Sequence, residues 1–344
     1  MNYPMSKIPL LRIHNINAIQ LDQIDRPHAG PDDLVMQVAQ CGICGSDLGF
    51  IAMGGLLGPG NPMALGHELS GTVIEAGANV HHVAVGDRVV INPEGNGNRI
   101  GCSGADVGGF SPYLLVRGAA LDPQVALKLP ESLSFEQGAL VEPLSVAMHA
   151  VHQGQAKSTD RVVIFGAGPI GLGILLVLQY YGVKNIVVVD LAEFRLAKVA
   201  QLGGIPVKAD STDLANDISG IHGQESLMGR SVPATDLYFE ATGVEAVFEQ
   251  CVKFAKSGAR VVVVGVHKKP VKFDLVNLLM RELTITGSMA YPKEFPQVID
   301  MLASGKIDTA ALISHRFALS DFQCAFDTAR DTQQAIKVLV DCQA

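Results

Sequence analysis

Residues 161–190 constrain this chain more than any other stretch. Arg161–Phe165 reads as a short, buried apolar strand. It runs directly into Gly166-Ala167-Gly168-Pro169-Ile170-Gly171, a G-x-G-x-x-G turn, and then into a long apolar helix. Asn185–Val189 reads as a second buried strand, closed by Asp190. The motif alone is weak, but a strand before it, a helix after it and an acid ending the next strand make a βαβ unit that binds dinucleotides. Gly166 permits the tight turn, Gly168 lets backbone approach a pyrophosphate, and Gly171 lets the helix pack closely on the strand. The phosphates then meet unpaired N–H groups and the positive end of the helix dipole. Asp190 accepts hydrogen bonds from the adenosine ribose and repels a 2′-phosphate, so NAD is expected over NADP. Arg195, five residues further on, is a candidate for stacking on the adenine, or else a solvated helix cation.

The alternation continues. A helix (Glu193–Leu202), a strand near Pro206, a strand at Asp236–Glu240, a helix at Glu245–Lys256 and a strand at Arg260–Val264 follow. Leu283–Thr286 is a candidate last strand. Strands alternating with helices imply a doubly wound parallel sheet, an α/β architecture. Residues to about 130 differ in texture. Short β-branched runs at Leu34–Val38, Gly71–Glu75 and Arg88–Ile91 are separated by turn residues, which suggests antiparallel strands in a barrel-like β domain. The tail carries a helix at Phe295–Ser304, a strand at His315–Leu319 and a final helix and strand.

The chain has 344 residues, enough for two domains, and its 48% hydrophobic and 17% charged content allows a sizeable core. A net charge of −8 argues against nucleic acid as the main partner. No apolar run is long enough to span a membrane, and the first residues lack the core and cleavage site of a signal peptide. Six scattered cysteines fit a reduced, cytoplasmic protein better than a disulfide scaffold.

A second constellation joins Gly42-Ile43-Cys44-Gly45-Ser46-Asp47 to Gly66-His67-Glu68. A catalytic zinc wants three protein ligands, with thiolate and imidazole prominent, and one open position. Cys44, His67 and Glu68 offer a thiolate, an imidazole and a carboxylate. Adjacent His67 and Glu68 both reach a metal only if the backbone bends there, or one acts through water. Glu142 is a further carboxylate. Taken singly, each has a bland reading: a core thiol, a satisfied histidine, surface acids.

GICGSD, GHE followed by SGTV, GDRV, EPLSV and GAGPIG occur in that order. The set resembles the zinc-dependent medium-chain dehydrogenase/reductase family over nearly the whole chain. Within it, the sorbitol, butanediol and threonine dehydrogenase branch is most similar. The resemblance implies a discontinuous GroES-like β-barrel catalytic domain at 1–152 and 292–344, with a Rossmann NAD-binding domain at 153–291. It implies zinc on Cys44, His67 and Glu68, with Glu142 contacting it directly or through water, and a proton relay beginning at Ser46. Thr242, Val264, Gly265 and Val266, like Pro169 and Ile170 of the glycine turn, are then cofactor-lining residues. A homodimer or homotetramer, often paired through the last Rossmann strand, is also implied.

The departures are informative. Many relatives hold a second, structural zinc with four cysteines after GDRV, but residues 91–104 contain only Cys102, so one zinc per chain is expected. Gly49 stands where relatives often carry a relay histidine. Cys41 forms a C-x-x-C with Cys44, which reads as a packed thiol rather than a redox pair. Phe50 and Ala290 align where polyol-binding relatives carry Tyr and Arg. With Ile51, Leu56, Leu57, Phe110 and Met289 as candidate pocket walls, an apolar secondary alcohol or small vicinal diol is the expected substrate. The rival readings are a polyol or L-threonine dehydrogenase, a zinc-free reductase and a catalytically silent dinucleotide-binding relative.

Overall fold

The structure, a computed structural model, describes residues 7–58, 60–102, 104–227, 229–291 and 293–344. It divides into two compact units, one from the described residues of Met1–Glu142, Ile313–Asp331 and Lys337–Ala344, the other from those of Pro143–Leu312 and Thr332–Ile336.

The first unit begins with β1 (Lys7–Asn15), β2 (Ala18–Asp25), β3 (Leu34–Gly42), α1 (Gly45–Met53), β4 (Met63–Ala64), β5 (Glu68–Ala76), β6 (Arg88–Ile91), β7 (Tyr113–Val116), β8 (Ala126–Lys128) and α2 (Phe135–Ala139). Neighbouring strands here pair antiparallel. The β3–β5 pair shifts register at Val35/Met36 and again at Val38/Gln40. Such irregularities bend a strand and increase its twist, which curls a sheet toward a barrel.

The second unit contains most of α3 (Val141–Gln153), then β9 (Arg161–Phe165), α4 (Pro169–Tyr180), β10 (Asn185–Asp190), α5 (Glu193–Gln201), β11 (Ile205–Lys208), α6 (Leu214–His222), the hairpin β12 (Gln224–Leu227) and β13 (Arg230–Pro233), β14 (Leu237–Glu240), α7 (Glu245–Phe254), β15 (Arg260–Val263), α8 (Leu275–Arg281), β16 (Thr284–Gly287) and α9 (Phe295–Ala303). Its six-stranded sheet has the order β11-β10-β9-β14-β15-β16, all parallel. The chain winds outward from β9 through β10 to β11, then returns to lay β14, β15 and β16 on the other side. The order reverses between β9 and β14, and ligands of such sheets bind at that switch point, beyond the carboxyl ends of the strands. The valines of β9 and β10 are buried, as a sheet covered on both faces requires.

The chain returns to the first unit through β17 (Ile313–Ala318), α10 (Phe322–Arg330) and β18 (Lys337–Asp341). β17 is parallel to β18, and β18 is antiparallel to β3.

These boundaries differ from those read in the sequence. The division falls at 142/143 rather than 152/153, because α3 packs on the parallel-sheet unit: a Cβ on Gly173 of α4 would meet Ala147 at 2.9 Å and Leu144 at 3.3 Å. The return begins at 313 rather than 292. Glu294, capping α9, receives His149 Nδ1 at 3.0 Å and His152 Nδ1 at 3.2 Å from α3, so α9 is tied to the second unit. Pro292 itself lies outside the described residues.

Candidate active site

The first centre is built where β3 ends. Cys44 precedes α1 in an extended conformation, and Asp47 Oδ2, fully buried in the first turn, accepts the Cys44 N–H at 2.9 Å. A helix N-terminus favours a thiolate there. The chain entering β5 is turned by Gly66, whose φ of +95° is a left-handed value. A Cβ at Gly66 would lie 2.7 Å from Phe110 N and 2.9 Å from Cys41 Sγ, so no side chain fits. Just beyond this turn, His67 and Glu68 are both buried, 5% and 1% exposed. One ligand atom from each of Cys44, His67 and Glu68 lies within 4.8 Å of the others, and no other such group occurs among the described residues. Glu142, also nearly buried, stands outside the triad.

Two features show that a metal fits. The donors are a thiolate, an imidazole and a carboxylate, a set suited to zinc. His67 Nδ1 and Asp47 Oδ1 face each other at 3.4 Å, buried and without a hydrogen bond of their own, while His67 Nε2 faces Ser46 Oγ at 3.4 Å. A carboxylate behind the distal ring nitrogen fixes the tautomer of a ligating histidine. Burial alone would lower the His67 pKa, but the Asp47 and Cys44 charges outweigh it and hold it well above its ordinary value.

Sequence reasoning missed Lys337. Its ammonium, 2% exposed, lies 2.6 Å from both Glu68 oxygens and 2.9 Å from the Ile43 carbonyl. Burial opposes its charge, yet the charges of Glu68 and Cys44 raise its pKa. The signal was a lysine inside the apolar run Ala335-Ile336-Lys337-Val338-Leu339-Val340, because a buried ammonium needs a counter-charge. A Cβ on Gly42 would lie 2.2 Å from Glu68 Oε2, so glycine makes room for this pair.

The second centre lies at the carboxyl edge of the parallel sheet. β9 passes into Gly166 (φ +101°), and Gly168 caps α4 with Pro169 in its first turn. A Cβ on Gly171 would lie 1.8 Å from the Gly166 carbonyl oxygen, which is the close strand–helix approach expected of it. At Gly168 only Arg195 Nη1, at 3.8 Å, comes within reach, so the second glycine faces open space. Asp190 Oδ2 accepts the Ala167 N–H at 2.7 Å, and Oδ1 accepts that of Ala192 at 2.8 Å. The carboxylate is thus fixed against the glycine turn. Arg195 donates to the Ala335 carbonyl at 3.0 and 3.2 Å, which ties its guanidinium beside that turn. Ile170 is half-buried in α4, and Thr242, Val264, Gly265 and Val266 lie on the loops after β14 and β15, Val266 81% exposed.

Comparison with known proteins decides the family. An alcohol dehydrogenase GroES-like domain profile matches residues 30–130, and a zinc-binding dehydrogenase profile matches residues 169–304. Over 96% of its length the chain is 32% identical to (R,R)-butanediol dehydrogenase of Bacillus subtilis strain 168, covering 98% of that protein. It is 33% identical to sorbitol dehydrogenase of Rattus norvegicus, with 96% and 95% of the two chains covered.

The chain is a zinc-dependent medium-chain dehydrogenase. It is an oxidoreductase acting on CH–OH donors, with a GroES-like domain and a Rossmann-type sheet. The crystal structure of 2R,3R-butanediol dehydrogenase from Bacillus subtilis superposes on this dehydrogenase with a TM-score of 0.85 at 31% identity, covering 97% of this chain and 99% of the other.

Two residues of the expected pocket wall are buried in this dehydrogenase. Ile51 and Phe110 have no exposed surface. Ile51 is on the inward face of α1, and Phe110 packs edge-on against Phe326 with ring centroids 5.4 Å apart. Both belong to the core. Phe50 is half-buried, while Leu56 and Leu57 are exposed. Met289, in the other unit, is 81% exposed, and Ala290 has a φ of +56°.

The lobe at 92–109 is braced by protein groups. Asn98 Nδ2 donates to the Arg117 carbonyl at 2.9 Å, and Arg117 forms a forked pair with Asp106 at 2.7 and 3.0 Å. Gly109 N–H donates to the Gly66 carbonyl at 2.7 Å, and a Cβ on Gly101 would lie 1.9 Å from that oxygen. The lobe therefore seats its backbone against the turn that presents His67. Ser103 lies outside the described residues.

Proposed function

We propose that this dehydrogenase oxidises a secondary alcohol or small vicinal diol to a ketone, with NAD as hydride acceptor and one zinc per chain. The convergence of half-buried Cys44 with buried His67 and Glu68, beside Ser46, carries this reading. Zinc bound there supplies a Lewis acid that lowers the pKa of the alcohol. Cys44, His67 and Glu68 would hold the metal, with Asp47 orienting His67. Glu142, buried but outside that group of three, would contact the metal directly or through water. Ser46 Oγ receives the hydroxyl proton. With glycine at position 49, that proton leaves through the cofactor ribose and water rather than through a histidine.

Asp190 supports NAD over NADP, since a fixed carboxylate beside the glycine turn accepts ribose hydroxyls and repels a phosphate. Exposed Leu56 and Leu57, with Phe50, support a substrate whose body is apolar. Such a wall leaves the extra hydroxyls of a hexitol unpaired, at about 1–3 kcal/mol for each. The relatives named for butanediol and sorbitol make both classes worth testing. A cytoplasmic homodimer or homotetramer completes the reading; no described helix is long and apolar enough to cross a membrane.

The test is kcat/KM, followed by NADH absorbance, for cyclohexanol, 2,3-butanediol, sorbitol and L-threonine, with NAD and with NADP. Higher values for cyclohexanol or butanediol are expected. A clear preference for sorbitol or threonine refutes the substrate class, and faster turnover with NADP refutes the cofactor assignment.

A further inference from the structure

Glu240 ends β14 and has no exposed surface. Its carboxylate serves two loops at once. Oε1 accepts the N–H of Thr242 at 2.8 Å, the N–H of Gly243 at 2.9 Å and the Thr242 hydroxyl. Oε2 accepts from His267 Nε2 at 2.9 Å. The main-chain carbonyl of the same residue accepts the N–H groups of Val264 and Gly265, each at 2.9 Å. The turn after β14 and the loop after β15 therefore hang from one residue.

They are also interlocked by shape. A Cβ on Gly243 would lie 2.5 Å from the Val266 oxygen. A Cβ on Gly265 would lie 2.1 Å from Gly243 N and 2.8 Å from Glu240 Oε2. Neither loop shifts without displacing the other. The contact extends to the glycine turn, where a Cβ on Gly166 would lie 3.0 Å from Thr242 Cγ2.

The strand order says which part of the cofactor these loops meet. Asp190, taking the adenosine ribose, ends β10. The Gly166–Gly171 turn, taking the pyrophosphate, follows β9. Continuing in the same direction along the sheet, the next strands are β14 and β15. A dinucleotide laid across this edge places its second nucleoside there.

We infer that Glu240 is a positioning residue for the nicotinamide half of the cofactor site, holding the Thr242–Gly243 turn directly and the Val264–His267 loop through His267. The inference rests on the NAD reading above. Buried polar groups gain from each other only when fully paired. Removing this carboxylate strands two N–H groups and an imidazole together, and it frees the two loops while the Asp190 and Gly166 side of the site keeps its own bonds.

ADP-ribose, which lacks the nicotinamide, separates the two halves. Calorimetric titration of ADP-ribose and of NAD is made into the purified wild-type enzyme and into Glu240→Ala, Glu240→Gln and His267→Asn. ADP-ribose affinity is expected to stay within about twofold throughout, while NAD binding weakens about tenfold or more in Glu240→Ala, as loss of two or three hydrogen bonds implies. Glu240→Gln, which keeps an oxygen for Thr242 and Gly243, recovers part of the loss, and His267→Asn falls between. Thermal unfolding checks each variant; where Glu240→Ala does not fold, the other two carry the comparison. Equal weakening of both ligands, or of neither, overturns the inference. A wild-type enzyme that binds neither ligand overturns the cofactor reading itself, and this inference with it.

Discussion

His222 Nδ1 lies 2.8 Å from Thr235 Oγ1, and its Nε2 is buried with no hydrogen-bond partner. Burial, aided by the nearby Arg161 charge, pushes its pKa down to about 4 from an ordinary 6.5. At about pH 5 the unfolded chain protonates this histidine and the native state does not. The unfolded state then binds the extra proton, so stability is full above pH 6.5 and is lost as the pH falls toward 4. His222→Gln should remove about 2 kcal/mol of the loss between neutrality and about pH 5. Urea unfolding at the two pH values measures it, and equal losses in the two proteins refute it.

Lys337→Met should destabilise the metal-free protein by about 3–5 kcal/mol, because Glu68 is left buried without its cation. Adding Glu68→Gln removes the stranded charge and should restore much of the stability. Urea titrations of the single and double variants decide this. A double variant no more stable than Lys337→Met alone would show that the ion pair is not the cause.

Elemental analysis should find one zinc per wild-type chain and almost none in Cys44→Ser, since only the Cys44, His67 and Glu68 group brings three donors together among the described residues. The variant should keep its circular dichroism and lose nearly all turnover, because a catalytic zinc is not a folding zinc. Two tightly bound zincs per wild-type chain would be wrong for a lobe with a single cysteine.

β16 is the edge of the six-stranded sheet, and α8 beside it buries no residue: Val276, Leu279 and Met280 are 64%, 75% and 56% exposed. An open strand edge next to an apolar helix is a pairing surface. Leu279→Glu should therefore lower the mass seen in sedimentation equilibrium by at least half. A wild-type monomer, or a variant of unchanged mass, refutes this.

Arg161–Phe165 and Arg88–Ile91 were legible to their ends, since short valine-rich runs between turn residues leave little but a buried strand. The clustering of Cys44, His67 and Glu68 and the glycine turn were legible because these residue types sit in glycine frames with a fixed order. α1 has no clear helical signal in the sequence, which is why the burial of Ile51 is not legible there: Asp47 and Ile51, four residues apart, share its inward face. α8 is not legible because Leu275-Val276-Asn277-Leu278-Leu279-Met280-Arg281 is short and mostly apolar, with no clear helical period. The β12–β13 hairpin is polar enough to read as loop. The apolar run around Lys337 signals a buried lysine, but its partner Glu68 lies 269 positions away and leaves no local pattern.

That separation also orders events during synthesis. Cys44, His67 and Glu68 leave the ribosome as one short stretch. The ammonium that balances Glu68 follows only after the whole six-stranded sheet has been made, on a strand that must then find β3. Until β18 is made, Glu68 has no Lys337 to pair with, so the balance of charge at this centre is completed only by the last strand of the chain.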